Sequence, residues 1–403
     1  MKKTVKKKKI GLLPRLIIAI ILGIILGKIL PGTGIRVFAT FNGLFGQFLG
    51  FAIPLIIIGF IVPGIGDLGS GAGKILALTA GIAYASTIIA GSIAYFANIT
   101  ILPMFLKPGA LGSNFGSSES GLAKAFIEFK ILPLMDVMTA LVLAFTIGIG
   151  IAAIKSTAIK SVMKEFQEII TKLISGIIIP LLPIYIMGTF ANMTYAGQVE
   201  SILKVFSKVF ILVILLHIIV IVLQYVVAGS IAGANPFRLI KKMIPAYLTA
   251  IGTQSSAATI PVTLAQTKKN GVSDGVADFV VPLCATIHLS GSTITLVSCS
   301  LAIMMLNGMN YSFGTFFGFI LALGVTMVAA PGVPGGAVMA SLGLLQSMLG
   351  FNETLTSLMI ALYVAQDSFG TACNITGDGA IAVIINKISG HKLETPKKKD
   401  AIA

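Results

Sequence analysis

Apolar residues run through this chain in long unbroken stretches, each closed by glycine, proline or a basic cluster, with little alternation of apolar and polar positions. A membrane-crossing helix takes about 17 to 25 such residues. Six stretches of the kind precede residue 232, at 10–30, 38–62, 75–102, 129–154, 173–189 and 205–231. Continuous runs predict α-helices, because the strands of a membrane barrel would read as alternation. The second stretch is expected to close at Pro63-Gly64-Ile65-Gly66-Asp67, and the fourth carries Asp136 near its start. The charged segment 155–172 reads as an interfacial, amphipathic lead into the fifth, and the Gly/Ser-rich segment 109–121 as a flexible loop.

The pattern changes after the sixth stretch. Residues 245–270 form two short apolar arms joined by Thr253-Gln254-Ser255-Ser256-Ala257-Ala258-Thr259, and Lys268 and Lys269 return the chain to a basic flank. An arm of ten residues rises about 15 Å, half the hydrocarbon thickness. This predicts a re-entrant hairpin whose tip lies at mid-membrane. Next comes a span at 276–306, interrupted at Ile287-His288-Leu289-Ser290-Gly291-Ser292-Thr293. A second hairpin follows, with arms 316–330 and 337–349 around Pro331-Gly332-Val333-Pro334-Gly335-Gly336, and then a last span at 355–388. The order hairpin, broken helix, hairpin, broken helix predicts an internal repeat of inverted topology. The expected fold is an all-α polytopic membrane protein with eight transmembrane segments and two re-entrant helical hairpins.

The last span holds Asp367, Thr371, Asn374 and Asp378. Steps of four, three and four residues put them on one stripe of a helix. A carboxylate in lipid costs roughly 2.5–3.5 kcal/mol on insertion scales, so the stripe must face protein, water, an ion or a solute. No Lys or Arg occurs from Asn270 to Asn386. The missing positive charge is therefore expected from solution, as an alkali cation, a proton or an ammonium group. His288 reads as a neutral, hydrogen-bonded core histidine, with a proton carrier as the alternative. His217, in the apolar sixth stretch, reads as a packing residue. Tyr84, Ser86 and Thr87 either join a site or bond locally, and the glycines around Pro334 suggest a mobile hairpin tip.

Composition agrees: 56% of residues are hydrophobic and 11% charged, with a mean hydropathy of +0.99. A net charge of +15 would fit nucleic acid if it were spread over a soluble surface. Here Lys2–Lys9 and Lys397–Lys399 lie outside the spans, which predicts cytoplasmic termini, a cell-membrane location and no nucleic-acid partner. A signal peptide is disfavoured, since no small-residue cleavage site follows the basic run and Lys28 closes a full-length span. Cys284, Cys299 and Cys373 are odd in number, lie in apolar segments and lack CxxC spacing, so they predict neither a disulfide framework nor a metal cluster. No nucleophile–base pair or nucleotide loop is evident in the sequence, and no enzymatic activity is expected.

Three separated motifs, in order, resemble the dicarboxylate/amino acid:cation symporter family, the glutamate-transporter fold. They are Gln254-Ser255-Ser256 with Ile260-Pro261-Val262-Thr263, Gly332-Val333-Pro334-Gly335, and Asp367…Thr371…Asn374-Ile375-Thr376-Gly377-Asp378. The resemblance implies a homotrimer in which an elevator-like transport domain (75–108 and 201–403) moves against a scaffold (1–74 and 109–200). It implies that Asp367 holds a substrate ammonium group. Asn374, Thr371 and the tip at Gln254, Ser255 and Ser256 would hold the α-carboxylate. Val333 would touch substrate from the second tip, where Gly332, Pro334 and Gly335 form a gate. Asp378, with backbone carbonyls of Asn374, Cys284 and His288, matches a sodium site, as oxygen ligands suit a hard cation.

Two departures from the family pattern shape the expected substrate. Members that carry acidic substrates have an arginine where this chain has Gly370, and a bidentate guanidinium is the natural clamp for a side-chain carboxylate. The resemblance therefore implies a neutral amino acid, with Gly370 and Ser292 leaving room for its side chain. The family's usual Asn-Met-Asp-Gly-Thr is His288-Leu289-Ser290-Gly291-Ser292 here, which removes a carboxylate from another sodium site. The expected activity is cation-coupled uptake of a neutral amino acid, with sodium as the cation, a proton as its alternative and no resident cofactor. A C4-dicarboxylate or acidic amino acid symporter is the runner-up, and a cation channel the rival class.

Overall fold

The computed structural model describes residues 12–68, 73–109, 121–127, 130–327, 330 and 334–390. The basic runs at both ends, residues 110–120 of the polar loop, and Gly332 and Val333 of the second tip lie outside the described residues. Regular structure among the described residues is helical. The first half comprises α1 (Leu12–Ile29), α2 (Gly32–Leu68), α3 (Gly73–Ile101), α4 (Val137–Ile154), α5 (Thr157–Leu173), α6 (Ile179–Tyr195) and α7 (Val199–Ala232). The second half follows as α8 (Pro236–Thr253), α9 (Ser256–Lys269), α10 (Asp274–Ile287), α11 (Ser290–Leu306), α12 (Phe313–Met327), α13 (Gly336–Leu349) and α14 (Glu353–Ile388).

Among the described residues, six helical stretches are long and apolar enough to cross a membrane: Gly32–Pro63, Ile75–Met104, Thr157–Tyr195, Phe206–Ala232, Asp274–Leu306 and Glu353–Ile388. They differ in how they are used. In the most apolar 18-residue window of each, 100% of the residues of Asp274–Leu306 and 94% of those of Glu353–Ile388 are buried within the protein, against 33% for Ile75–Met104 and for Thr157–Tyr195. The last two have most residues of that window outside the protein interior. The first two are the interior, which is where polar side chains at membrane depth have to sit.

Helix α14 is the axis of that interior. It packs against α7, α8, α9, α10 and α11, and more lightly against α1, α3, α6 and α13. On the other side α1 pairs with α6, and α2 packs on α4, α5 and α6. A polar seam joins this outer group to the start of α14. Gln47 Nε2 donates to Glu353 Oε1 (2.9 Å), the Tyr185 hydroxyl donates to the Glu353 carbonyl (3.2 Å), and the Thr189 and Ser357 hydroxyls share a bond at 2.5 Å.

Several boundaries differ from those read in the sequence. Helix α2 runs on through Pro63 to Leu68, since a proline inside a membrane helix is tolerated where neighbours satisfy the freed backbone groups. Helix α4 begins only at Val137, because Asp136 is its N-cap and accepts from the Thr139 N–H at 2.9 Å. The charged segment does lead into the fifth stretch: α5 joins α6 through a π-helical turn at Ile174–Ile178, making one stretch from Thr157 to Tyr195. The first arm of the first hairpin begins at Pro236, capped by Asn235, so Arg238, Lys241 and Lys242 are part of the helix.

The expected second broken helix is overturned: α14 is continuous from Glu353 to Ile388. Only the 274–306 span is interrupted, at His288 (φ −113°, ψ 95°) and Leu289. A helix wrapped on every face can display polar side chains without unwinding, because the surrounding protein answers them.

Candidate functional site

The break between α10 and α11 lies against the polar stripe of α14. Helix α11 has Leu289 at its N-cap and no side-chain cap of its own. The first N–H groups of a helix need acceptors, and Asn374 of α14 supplies one. Its Oδ1 accepts the N–H of Gly291 (2.8 Å) and of Ser292 (3.2 Å), while its Nδ2 donates to Ser292 Oγ (3.0 Å). The two helices cross closely here. A Cβ on Gly291 would sit 2.4 Å from the Gly370 carbonyl oxygen and 2.6 Å from Cys373 Cβ, so only glycine fits. A Cβ on Gly370 would meet the first turn of α11 at 3.6 Å. Alanine is accommodated at 370, but a longer side chain would press on Gly291, Ser292 and Thr295.

One turn further along α14, Asp378 Oδ1 and His288 Nδ1 are 2.9 Å apart, both side chains fully buried. Asp378 Oδ2 is buried with no hydrogen-bond partner. The other imidazole nitrogen, Nε2, shares a bond with the Ser86 hydroxyl (3.0 Å), and Gln224 Nε2 donates to Ser86 Oγ (3.0 Å) and Ser290 Oγ (3.2 Å). Gly377 opens the space for this network, since a Cβ there would lie 2.6 Å from Gln224 Oε1 and 2.7 Å from His288 Cε1. The Cys284 carbonyl accepts the His288 N–H (2.8 Å), leaving one lone pair. The carbonyl end of α10 carries partial negative charge, so a cation beside Asp378 Oδ2 would be favoured by both groups.

At the other end of the stripe Asp367 is 4% exposed and Thr371 5%. Asp367 Oδ2 accepts the backbone N–H of Gly335 at 2.7 Å. Gly335 is the N-cap of α13 and has φ +75°, a left-handed conformation that favours glycine. Pro334 is partly exposed beside it. Thus the second hairpin tip is fastened to the aspartate that the sequence singles out. The Tyr363 hydroxyl, one turn before Asp367, also faces that carboxylate and donates to Ser292 Oγ at 2.9 Å.

The first hairpin tip is built differently. Gln254 ends α8 with φ +54° and donates its N–H to the Ala250 carbonyl (2.8 Å). Ser255 Oγ caps α9 by accepting from the Ala258 N–H (3.3 Å), and the Thr253 and Thr259 hydroxyls share a bond at 3.0 Å. Ser256 opens α9 and is 6% exposed. Both arms pack on α14.

Among the three hydroxyls noted in the third stretch, Ser86 reaches the histidine. Tyr84 donates to the Leu321 carbonyl (3.2 Å), and Thr87 bonds within its own helix to Ala83 O (3.0 Å). His217 does more than pack: its Nε2 lies 2.9 Å from the Gly291 carbonyl oxygen and 3.2 Å from Thr295 Oγ1. Sequence reasoning missed Tyr363 and Gln224. Tyr363 was findable, since it extends the Asp367 stripe by four residues towards the N-terminus. A glutamine amid the apolar sixth stretch was the signal for Gln224.

Comparison with known proteins agrees with this arrangement. A serine/threonine transporter SstT of Acinetobacter baylyi is 24% identical over 94% of this chain and 98% of its own length. Its counterpart in Acinetobacter baumannii is 25% identical over 92% and 95%. Excitatory amino acid transporter 3 of Mus musculus is 33% identical over a shorter region, 40% of this chain and 31% of that protein. The family model described as sodium:dicarboxylate symporter family matches residues 12–388. With buried aspartates on an enclosed helix, a broken helix and a match over nearly its whole length, the chain belongs to the sodium:dicarboxylate symporter family, and is a membrane protein of cation-coupled amino acid transport.

Proposed function

We propose that the chain imports a small neutral amino acid, serine- or threonine-like, together with sodium, by alternating access. The observation that carries this reading is the fastening of the second hairpin tip to Asp367, in a region without Lys or Arg. A substrate ammonium group supplies the positive charge that the carboxylate lacks and binds where the gate closes. Gly370 in place of a guanidinium supports a neutral side chain, as does the similarity to the two bacterial serine/threonine transporters. The unpartnered Asp378 Oδ2 beside the carbonyl end of α10 supports a cation next to Asp378.

Helices α3 and α7–α14 form the transport domain in this reading and move against α1, α2 and α4–α6. The protein is a trimer of eight-span subunits in a prokaryotic plasma membrane, with both termini in the cytoplasm. Coupling is reciprocal: ion and substrate order the same hairpin, so each raises the affinity for the other.

The test is uptake into proteoliposomes by the purified protein, with a panel of radiolabelled amino acids and an imposed sodium gradient. The expected result is saturable, stereoselective uptake of serine, threonine or alanine that stops when sodium is replaced by choline. Preference for aspartate, glutamate or a C4-dicarboxylate would overturn the neutral-substrate reading. Full uptake without sodium, driven by a pH gradient, would overturn sodium as the coupled ion.

A further inference from the structure

The first two turns of α8 carry Arg238, Lys241 and Lys242, all exposed, and no Asp or Glu occurs between Glu200 and Asp274. Two cations near this cluster are already committed. Lys268 meets Asp278 and Asp274, and Lys242 Nζ donates to the Lys269 carbonyl at 2.6 Å, tying the roots of the two arms together. The side chains of Arg238 and Lys241 have no hydrogen-bond or ion-pair partner among the described residues.

The surroundings of that unpaired couple are apolar. Helix α8 buries Leu239, Met243, Ala246 and Ala250, and on its other side exposes Phe237, Lys241, Ile244 and Leu248 at the same steps of four, three and four. Phe237 is 66% exposed and Leu248 60%, so no described part of the chain covers this stripe. Helix α8 packs on α7, whose last turns expose Leu223, Val227 and Ile231. The apolar stretch of α7 ends at Ala232, just before the turn into Pro236. The root of α8 therefore lies at the membrane face, with Ile244 and Leu248 deeper. A long basic side chain runs its methylenes along apolar surface and keeps its charge at headgroup level. Asn235 already takes the N–H groups of Phe237 and Arg238, so an anion here is held by side chains and not by the helix end.

We propose that the outer face of α8 binds an anionic phospholipid of the cytoplasmic leaflet. Arg238 and Lys241 hold its phosphate, and its acyl chains lie against Phe237, Ile244 and Leu248. The planar fork of arginine matches a phosphate, and lysine adds a point charge. That leaflet carries a negative surface potential, and each cation near it raises affinity by about fivefold. The choice of leaflet rests on the orientation proposed above; the surface itself does not. A lipid held there anchors the root of the first hairpin at the membrane face.

The chain contains no tryptophan, so Phe237→Trp places a single fluorescent reporter on this surface. The full-length reporter protein is reconstituted in phosphatidylcholine vesicles containing brominated phosphatidylglycerol or brominated phosphatidylcholine, whose bromines quench tryptophan on contact. The expected result is a relative affinity for the anionic lipid at least about fivefold above that for the zwitterionic one. Adding Arg238→Gln and Lys241→Gln should bring the ratio to within about twofold. Should that variant not reconstitute, raised salt replaces it, because exposed charges are screened, and the ratio should fall likewise. A ratio near one in the reporter protein overturns the proposal. A ratio that survives both substitutions, or raised salt where that replaces them, also overturns it. Absence of quenching by either lipid overturns it too, since the stripe is then covered by protein. None of these readings requires transport, so the proposal stands or falls apart from the function proposed above.

Discussion

The two hairpins close in opposite ways. The tip between α8 and α9 satisfies itself: Gln254 bonds back to Ala250, Ser255 caps α9, and Thr253 meets Thr259. The start of α13 has no side-chain cap, and its Gly335 N–H bonds to Asp367 of a different helix. One tip is a shelf whose shape depends on its own residues. The other, the gate of the proposed function, is held by the carboxylate proposed to take the substrate. A gate wired to its ligand's anchor responds to binding, and a self-capped shelf does not.

The largest effect is expected from Asp367→Ala. It removes both the anion for the ammonium group and the fastening of the second tip. Amino acid binding by calorimetry should drop at least about a hundredfold, in line with a buried charge-assisted contact of about 3 kcal/mol. Amide exchange at the start of α13 should rise, with that of α9 unchanged. Unaltered uptake would remove the basis for contrasting the hairpins. Asp367→Asn sharpens the contrast, because an amide oxygen still accepts from Gly335 although the charge is gone. Binding should fall while exchange at α13 stays low.

Next in size is Gly335→Ala. A Cβ there meets only Leu12 and Val364 at an ordinary 3.7 Å, so the cost is conformational, about 1–2 kcal/mol for a left-handed residue. Apparent substrate affinity should weaken by about tenfold in uptake competition, and an unchanged affinity would mean that the tip is not in this conformation when substrate binds. Ser255→Ala tests the other hairpin. Losing an N-cap costs about 1 kcal/mol, read as a lower thermal midpoint in detergent, and no shift would mean that the cap carries no load.

The smallest effect belongs to Lys268, which meets Asp278 at 2.8 Å and Asp274 at 3.3 Å where α9 faces α10. These groups are substantially exposed, and such pairs contribute about 0–1 kcal/mol. Lys268→Ala should change the midpoint by a degree or so and weaken further in salt. A loss comparable to that of Ser255→Ala would show that the first hairpin leans on α10 more than on its own cap.

Long apolar runs made the helices legible, and the break at His288 and the arms of the second hairpin were read close to their observed places, while the first hairpin begins at Pro236 rather than Pro245. Period alone cannot tell whether a polar stripe unwinds its helix. The second break was inferred from symmetry, whereas α14 stays helical because neighbours enclose it on all sides. Asp136 and Asn235 moved two boundaries through caps that apolar runs do not reveal. Within the site, Asp367, Asn374 and Asp378 were legible from their spacing. Their partners were not, since a bond such as His288 to Asp378 joins residues ninety positions apart. Sequence spacing reports only neighbours on one helix.

Asn374 lies downstream of the helix it caps. The ribosome finishes α10 and α11 before it makes the residue that accepts the first amides of α11, although Ser86, Gln224 and His217, which bond the same break, are made earlier. The first turn of α11 is thus completed late, when the final helix claims the amides of Gly291 and Ser292. A truncated product lacking that helix would leave those two amides without this acceptor.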